Sequence, residues 1–281
     1  MDVLRIAAFS DGGAGGNPAG VVLCDALPAN ADMQRVAAEV GFSETAFAAR
    51  VPAGEGKGWR VRYFSPAAEV PFCGHATIAL GAALALKHGD GQFPLSLAHA
   101  DITVEGRREG DLVAAALQSP PTRSAPAEPA AVAEALGLFG YSELDLDPRI
   151  PPARIHAGAD HLVLMLLSRA ALGAMHYDLA RGRELMTREG WVTVLLGHVE
   201  SRRRFHTRNA FAYGGVQEDP ATGAATAAFA GYLRDLDWPH QGRIEVVQGE
   251  DMGARSLLQA DLSTVPGSSV RVSGTARLMD A

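Results

Sequence analysis

The chain has 281 residues, 47% of them hydrophobic, with 25 Lys and Arg against 32 Asp and Glu for a formal net charge of −7. That size and apolar content suit one large or two ordinary globular domains with a full core, and the acidic balance argues against general nucleic-acid binding. Its two cysteines, Cys24 and Cys73, form no CxxC and no metal-ligand spacing, which argues against a disulfide scaffold and points to a reducing compartment. The N-terminus lacks a basic stretch followed by an apolar one. The longest uncharged apolar run, residues 76–86, is too short to span a bilayer, so a cytoplasmic protein with no membrane partner is expected.

In chain order, residues 3–9 and 21–24 read as strands separated by the glycine-rich DGGAGGNPAG. Those glycines precede a strand rather than a helix, so a dinucleotide loop fails in context and a turn is expected. Asn30 is placed as the cap of a helix over 31–40, stopped by Gly41. A strand then begins at 42–47 and carries Glu44 among apolar and small neighbours. Carboxylates are depleted from strands and rarely buried alone. Glu44 is thus either a solvent-facing edge residue or loop cap, or an acid/base carboxylate.

Further strands are expected over 59–64, 95–105 and 112–118. Residues 119–129 hold four prolines with Ser, Ala and Glu, the composition of a linker, which sets domains at 1–120 and 130–281. The second half is expected to hold a helix at 130–136, a strand at 155–167, a mainly helical stretch at 172–189 and a strand at 191–200. Late strands follow at 244–248, 256–261 and 270–279, the last of them available to the first domain. Arg202, Arg203 and Arg204 form the one basic cluster and read as a solvated strand or loop end.

Two stretches stand out. Residues 69–86, EVPFCGHATIALGAALAL, pass from an acidic residue through a turn into an uncharged helix of small residues. A helix apolar on every side has to be buried, and its small residues admit a sheet at close range. Residues 218–233, EDPATGAATAAFAGYL, repeat the design, and Gly74-His75-Ala76-Thr77 can be set against Ala221-Thr222-Gly223-Ala224. Self-similarity at half-chain spacing argues for duplicated domains rather than a solenoid. The fold expected is α+β: two pseudo-symmetric domains, each a mixed barrel-like sheet wrapped around a central helix, with a cleft between them.

At the start of each helix, unpaired backbone N–H groups and the positive end of the helix dipole offer an anion site. Beside them stand Glu44, His75 and Asp219. GxSxG and HExxH are absent, and no clustered His spacing exists, so neither a serine hydrolase nor a metal centre is expected. His156, His161, His176, His198 and His206 read as structural or surface residues. Cys73 is either a small buried residue or a thiolate at a helix N-terminus; Asp219 is either a helix cap or a substrate-facing carboxylate. The chemistry that remains is cofactor-free proton transfer on a small carboxylate, held by the amides of Gly74, His75, Ala76, Gly223 and Ala224.

Five motifs, GNPAGVV (16–22), SETAF (43–47), FSPAAEVPFCGHAT (64–77), EDPATGAA (218–225) and VQGEDMG (247–253), lie in order along nearly the whole chain. Together they resemble the PhzF, or phenazine-biosynthesis-like, family. The resemblance implies the diaminopimelate-epimerase-like fold and a cofactor-free isomerase whose type substrate is trans-2,3-dihydro-3-hydroxyanthranilate. It implies a proton-shuttling glutamate at Glu44, an active-site histidine at His75 and an aspartate at Asp219, with no metal. Related epimerases use two facing cysteines; no cysteine lies near EDPATG, so that mechanism lacks its second thiol. Ala224 stands where the family usually has serine, which removes a hydroxyl contact, and NAFAYGG lacks the family's usual proline. Two alternatives remain open: an amino-acid racemase or epimerase with Cys73 as one base, and a non-catalytic organic-anion-binding protein. An exposed sheet edge makes a homodimer a reasonable expectation.

Overall fold

The computed structural model describes residues 1–52, 54, 58–98 and 100–279. The backbone divides into two compact units, residues 1–118 with 273–281, and residues 119–272. Among the described residues, no helix is long and apolar enough to cross a membrane.

In the first unit, β1 (Leu4–Ser10) pairs antiparallel with β2 (Asn17–Cys24), and β2 runs parallel to β3 (Thr45–Arg50) after the crossover helix α1 (Asn30–Val40). Strand β3 pairs antiparallel with β4 (Trp59–Phe64), and β4 with the two-residue β5 (Glu69–Val70). Helix α2 (Gly74–His88) follows. Then β6 (Gly91–Ser96) returns parallel to β4 and continues as an antiparallel meander through β7 (Asp101–Glu109) and β8 (Leu112–Gln118).

Helix α2 is the axis of this unit. Every residue from His75 to Ala85 is buried, and the helix packs against β7, β8, β2 and β1. Small residues make that enclosure possible. A Cβ on Gly106 of β7 would lie 2.3 Å from the Gly81 carbonyl oxygen, and one on Gly81 would lie 2.6 Å from Val104 Cγ2. Helix and strand therefore touch backbone to backbone, with no room for one methyl group.

The second unit runs β9 (Arg123–Pro126), α3 (Pro129–Phe139), β10 (Ala153–His156), β11 (Asp160–Leu166), α4 (Arg169–Gly173), α5 (Leu179–Glu189), β12 (Thr193–Val199), β13 (Arg204–Ala210), β14 (Glu218–Asp219), α6 (Gly223–Asp235), β15 (Arg243–Gln248) and β16 (Ser256–Asp261). Its pairings repeat those of the first unit in order. Strands β10–β11 are antiparallel, β11–β12 parallel, β12–β13 and β13–β14 antiparallel, β13–β15 parallel and β15–β16 antiparallel. Helix α6 occupies the place of α2, packed against β10, β9, β16 and β11. Even an ion pair recurs. Arg62 of β4 holds Glu69 of β5 through Nε at 2.7 Å, and Arg208 of β13 holds Glu218 of β14 through Nη2 at 2.6 Å. The closing strand β17 (Arg271–Leu278) pairs antiparallel with β1 through residues 275–278.

Several sequence expectations need correction. Asn30 opens α1 instead of capping it; Ala29 holds the cap position, and the Asn30 amide oxygen accepts from Arg62 Nη1. The stretch 95–105 is the end of β6 and most of β7, folded back where Leu97 N–H donates to the Ala100 carbonyl (2.9 Å); its residue 99 lies outside the described residues. Residues 155–167 are likewise a hairpin of β10 and β11, turned at Gly158 with φ 91°. The helix expected at 172–189 is two helices, because the Asp178 side chain accepts from Arg181 N–H and starts α5 afresh. Residues 119–129, expected as a linker, carry β9, paired antiparallel with β10, and belong to the second unit. Two of their prolines fit because they sit at a strand end (Pro126) and at a first helical position (Pro129). Matching the helix starts also shifts the internal alignment by two residues: Gly74 corresponds to Gly223 and His75 to Ala224.

A buried polar chain crosses three strands of the second unit. His161 Nδ1–H donates to Thr193 Oγ1 (2.8 Å), whose hydroxyl donates to Asn209 Oδ1 (3.1 Å). His161 is fully buried, its Nε2 accepts no hydrogen bond among the described residues, and desolvation pushes its pKa down to about 3.

Two outcomes follow for stability. Gly106→Ala should lower the unfolding free energy by about 1–3 kcal/mol in a denaturant titration, since the clash is with backbone and cannot be relieved by a rotamer change. The His161 imidazole binds a proton readily only when the chain is unfolded, so stability present above pH 6.5 is lost as pH falls toward about 3. The unfolding free energy should fall by up to about 1.4 kcal/mol per pH unit more steeply in the parent than in His161→Gln. Equal slopes would show that His161 does not carry this dependence.

Candidate active site

Glu44 sits immediately before β3, where the chain enters the first unit's sheet. Its carbonyl accepts from Gly20 N–H (3.1 Å), which ties the entry to β2. Glycine is required at that contact: a Cβ on Gly20 would lie 2.7 Å from Thr45 Oγ1. The Glu44 side chain is only 13% exposed, and its Oε2 is buried without a hydrogen bond among the described residues. This is neither a solvated edge residue nor a loop cap.

Opposite it stands His75, in the first turn of α2. Cys73 holds the N-cap position in an extended conformation (φ −144°, ψ 118°), and no side chain caps the helix. The first helical bond is Thr77 N–H to the Cys73 carbonyl (3.0 Å). The N–H groups of Gly74, His75 and Ala76 are therefore left without partners inside the helix. The Cys73 carbonyl also receives the Thr77 hydroxyl (2.7 Å), and the Tyr63 hydroxyl donates to Thr77 Oγ1 (2.7 Å). Burial holds the Tyr63 phenol far above its ordinary pKa, so it stays a neutral donor and pins this turn.

His75 is 6% exposed, and three polar side chains converge on its ring. Glu44 Oε2 lies 3.3 Å from Nε2, outside hydrogen-bond geometry. Ser43 Oγ lies 3.3 Å from the same nitrogen, and Cys73 Sγ lies 3.3 Å from Nδ1. The ligand-type atoms of Glu44, Cys73 and His75 all fall within 4.8 Å of one another. A carboxylate, an imidazole and a row of open amides at the end of an apolar helix can accept a proton, return it, and hold an anion meanwhile.

In the second unit, Asp219 lies in β14, opposite Asn209 of β13. It does not cap α6; that position belongs to Thr222, whose side chain makes no cap bond. The Thr222 hydroxyl donates instead to Asp219 Oδ2 (2.5 Å). Gln248, fully buried at the end of β15, braces both residues. Its Nε2 donates to the Asp219 carbonyl (2.6 Å) and toward Thr222 Oγ1 (3.1 Å), while its Oε1 accepts from Thr222 N–H (3.2 Å). The helix begins with Thr226 N–H bonded to the Thr222 carbonyl (3.0 Å), which leaves the amides of Gly223 and Ala224 unpaired within it.

The expected site residues thus gather around two helix starts: Glu44, Gly74, His75 and Ala76 at α2, and Asp219, Gly223 and Ala224 at α6. Sequence reading missed Ser43, Tyr63, Thr77, Thr222 and Gln248 as supporting groups. Ser43, Thr77 and Thr222 stood inside quoted motifs, and Gln248 stood in VQGEDMG, but nothing local shows what a side chain will reach across a sheet. The remaining histidines are engaged elsewhere. His156 contacts Asp160 at 2.8 Å, His206 lies between Glu200 (2.6 Å) and Glu250 (2.7 Å), and His198 Nδ1 donates to the Leu166 carbonyl at 3.1 Å. Arg202 and Arg203, just before β13, and Arg204, its first residue, are exposed.

The family model described as phenazine biosynthesis-like protein (PhzC-PhzF) matches residues 6–281. The trans-2,3-dihydro-3-hydroxyanthranilate isomerase of Pseudomonas aeruginosa is 34% identical over 286 residues, covering 96% of this chain and 94% of its own. The uncharacterized isomerase PA2770 of the same organism is 32% identical over 280 residues, covering 99% and 96%. Among solved structures, the Bacillus anthracis phenazine biosynthesis protein of the PhzF family superposes with a TM-score of 0.86 at 20% identity, over 100% of this chain and 98% of that one, a likeness of fold. By sequence along its whole length and by the course of its backbone, the chain belongs to the phenazine biosynthesis-like, or PhzF, family of isomerases.

Proposed function

We propose that the protein is a cofactor-independent isomerase that moves a proton between two carbons of a small, cyclic carboxylic acid resembling a dihydro-hydroxyanthranilate. Glu44 takes the proton from one carbon and returns it to another, so that the carboxylate is regenerated in each turnover. His75, at 3.3 Å from Glu44 Oε2, orients the substrate and steadies the charge as it shifts. The substrate carboxylate is held by the helix-start amides of Gly74 and Ala76. In the second unit, Asp219, set by Thr222 and Gln248, stands beside the helix-start amides of Gly223 and Ala224 as that unit's own polar group.

One observation carries this reading: a nearly buried carboxylate whose inner oxygen accepts no hydrogen bond among the described residues, facing an imidazole at an uncapped helix start. A merely structural carboxylate in that setting would be expected to satisfy its oxygen, because leaving it unpaired costs about 1–3 kcal/mol. A base that has to reach a substrate proton needs that oxygen free. The relative whose printed name states the dihydro-hydroxyanthranilate reaction supports the substrate class.

The test is solvent exchange. In heavy water, the parent protein should introduce deuterium into trans-2,3-dihydro-3-hydroxyanthranilate or a related cyclic acid. Glu44→Gln should slow that exchange by about 10²–10⁴-fold while ligand affinity changes little. Exchange that survives in Glu44→Gln and is lost in Cys73→Ser would replace this reading with a thiol-based epimerase. Binding without exchange by the parent would replace it with an organic-anion carrier. A second outcome concerns Ala224, which opens the first turn of α6 without a side-chain hydroxyl. On the dihydro-hydroxyanthranilate, Ala224→Ser should raise kcat/KM by up to about tenfold, the worth of one added hydrogen bond.

A further inference from the structure

The same three side chains that surround the α2 helix start have the chemistry and spacing of a transition-metal site. We infer that Glu44, Cys73 and His75 bind one thiophilic divalent cation of the zinc class, and that its occupancy withdraws Glu44 and His75 from proton transfer. Zinc takes thiolate sulfur at about 2.3 Å, imidazole nitrogen at about 2.0–2.1 Å and carboxylate oxygen at about 2.0–2.2 Å. A tetrahedron with those bond lengths separates its ligand atoms by about 3.3–3.6 Å. Here His75 Nε2 lies 3.3 Å from Glu44 Oε2 and 3.9 Å from Cys73 Sγ, and every ligand atom is within 4.8 Å of the others. Cys73 Sγ lies nearer Nδ1 (3.3 Å) than Nε2, so closing the site takes rotation of the Cys73 and His75 side chains.

Two further observations favour an ion over coincidence. Glu44 Oε2 is buried and accepts no hydrogen bond among the described residues, though His75 Nε2 stands 3.3 Å away, so a cation would satisfy the oxygen more fully than the imidazole does. The group also differs from an exposed acidic cluster: His75 is 6% and Glu44 13% exposed, and the ligands are of three kinds. Binding replaces the thiol proton of Cys73, which passes to solvent, and leaves the fourth position for water or the carboxylate of a substrate. Three protein ligands with one open position is an arrangement that catalytic zinc sites also use. In this chain the ion would instead be an inhibitor, because it occupies the base. Metal binding stands on the geometry alone; the inhibition rests on the proton-transfer role proposed above.

Cobalt(II) is the probe, since its thiolate complexes absorb in the near ultraviolet and tetrahedral sites give strong visible bands. Chelator-treated full-length protein titrated with cobalt(II) should show both, saturating at one ion per chain and displaced by zinc. Cys73→Ser should remove the charge-transfer band, Cys24→Ser should keep it, and Glu44→Gln should weaken binding at least tenfold. Absence of the thiolate band, its persistence in Cys73→Ser, or equal affinity in Glu44→Gln would overturn the site. With binding established, solvent exchange should cease at saturating zinc and return on chelation. Exchange that continues at full occupancy would overturn the inhibition and the role of Glu44 while leaving the metal site standing.

Discussion

A helix without a charge in its first thirteen residues has to be enclosed, and the enclosure of α2 governs the first unit. Enclosure on every side demands close approach, and the backbone contact between Gly81 and Gly106 is where that demand is strictest. Burying an apolar helix costs little except at its ends, where backbone groups lack partners. The C-terminal end carries Lys87 and His88, cations that suit the negative end of the dipole. The N-terminal end is left without a side-chain cap, and there the polar groups collect: Ser43, Glu44, Cys73 and His75. The site is thus placed by the same constraint that organises the core.

The two units share a strand-pairing order and an Arg–Glu pair between β4 and β5 and between β13 and β14. Their chemistry has nonetheless separated. Where the first unit has Val70 opposite Tyr63, the second has Asp219 opposite Asn209. Where α2 begins Gly74-His75, α6 begins Gly223-Ala224. One copy keeps the imidazole and the nearby carboxylate; the other keeps a braced aspartate and an uncapped helix start. A duplication that preserved the frame while dividing the polar groups accounts for both the recurrence and the asymmetry.

The supporting contacts show how a few buried polar residues are made to hold position. Tyr63, Thr77 and the Cys73 carbonyl form one short chain, and Gln248, Thr222 and Asp219 form another. Each chain ties a strand to the residues just before a helix, where the backbone would otherwise be free to turn. Hydrogen bonds inside a dry core are strong when complete and costly when broken, which makes such braces rigid. By contrast, the carboxylate of Glu44 keeps an oxygen unused in the same environment. That contrast separates the groups that hold the site from the group proposed to act in it.

Much of this was legible from residue order alone. The uncharged runs after Cys73 and Thr222 announced buried helices, the repeat of that design announced two like halves, and most strands appeared within a few residues of their observed limits, because periodicity and local backbone preference are short-range properties. What failed was also local in appearance: the proline-rich 119–129 stretch read as a linker, the hairpins at 95–105 and 155–167 read as single strands, and Asn30 read as a cap. The two hairpins turn locally, at Leu97–Ala100 and at Gly158, whereas for the linker and the cap a partner distant in sequence decided the outcome, as when β10 recruits β9 or Arg62 takes the Asn30 amide. The meeting of Glu44, Cys73 and His75 belongs to the same class. Composition could nominate those residues, but only the folding of β3 against α2 sets a carboxylate 3.3 Å from an imidazole thirty-one positions away, since that distance is fixed by packing and not by the chain between them.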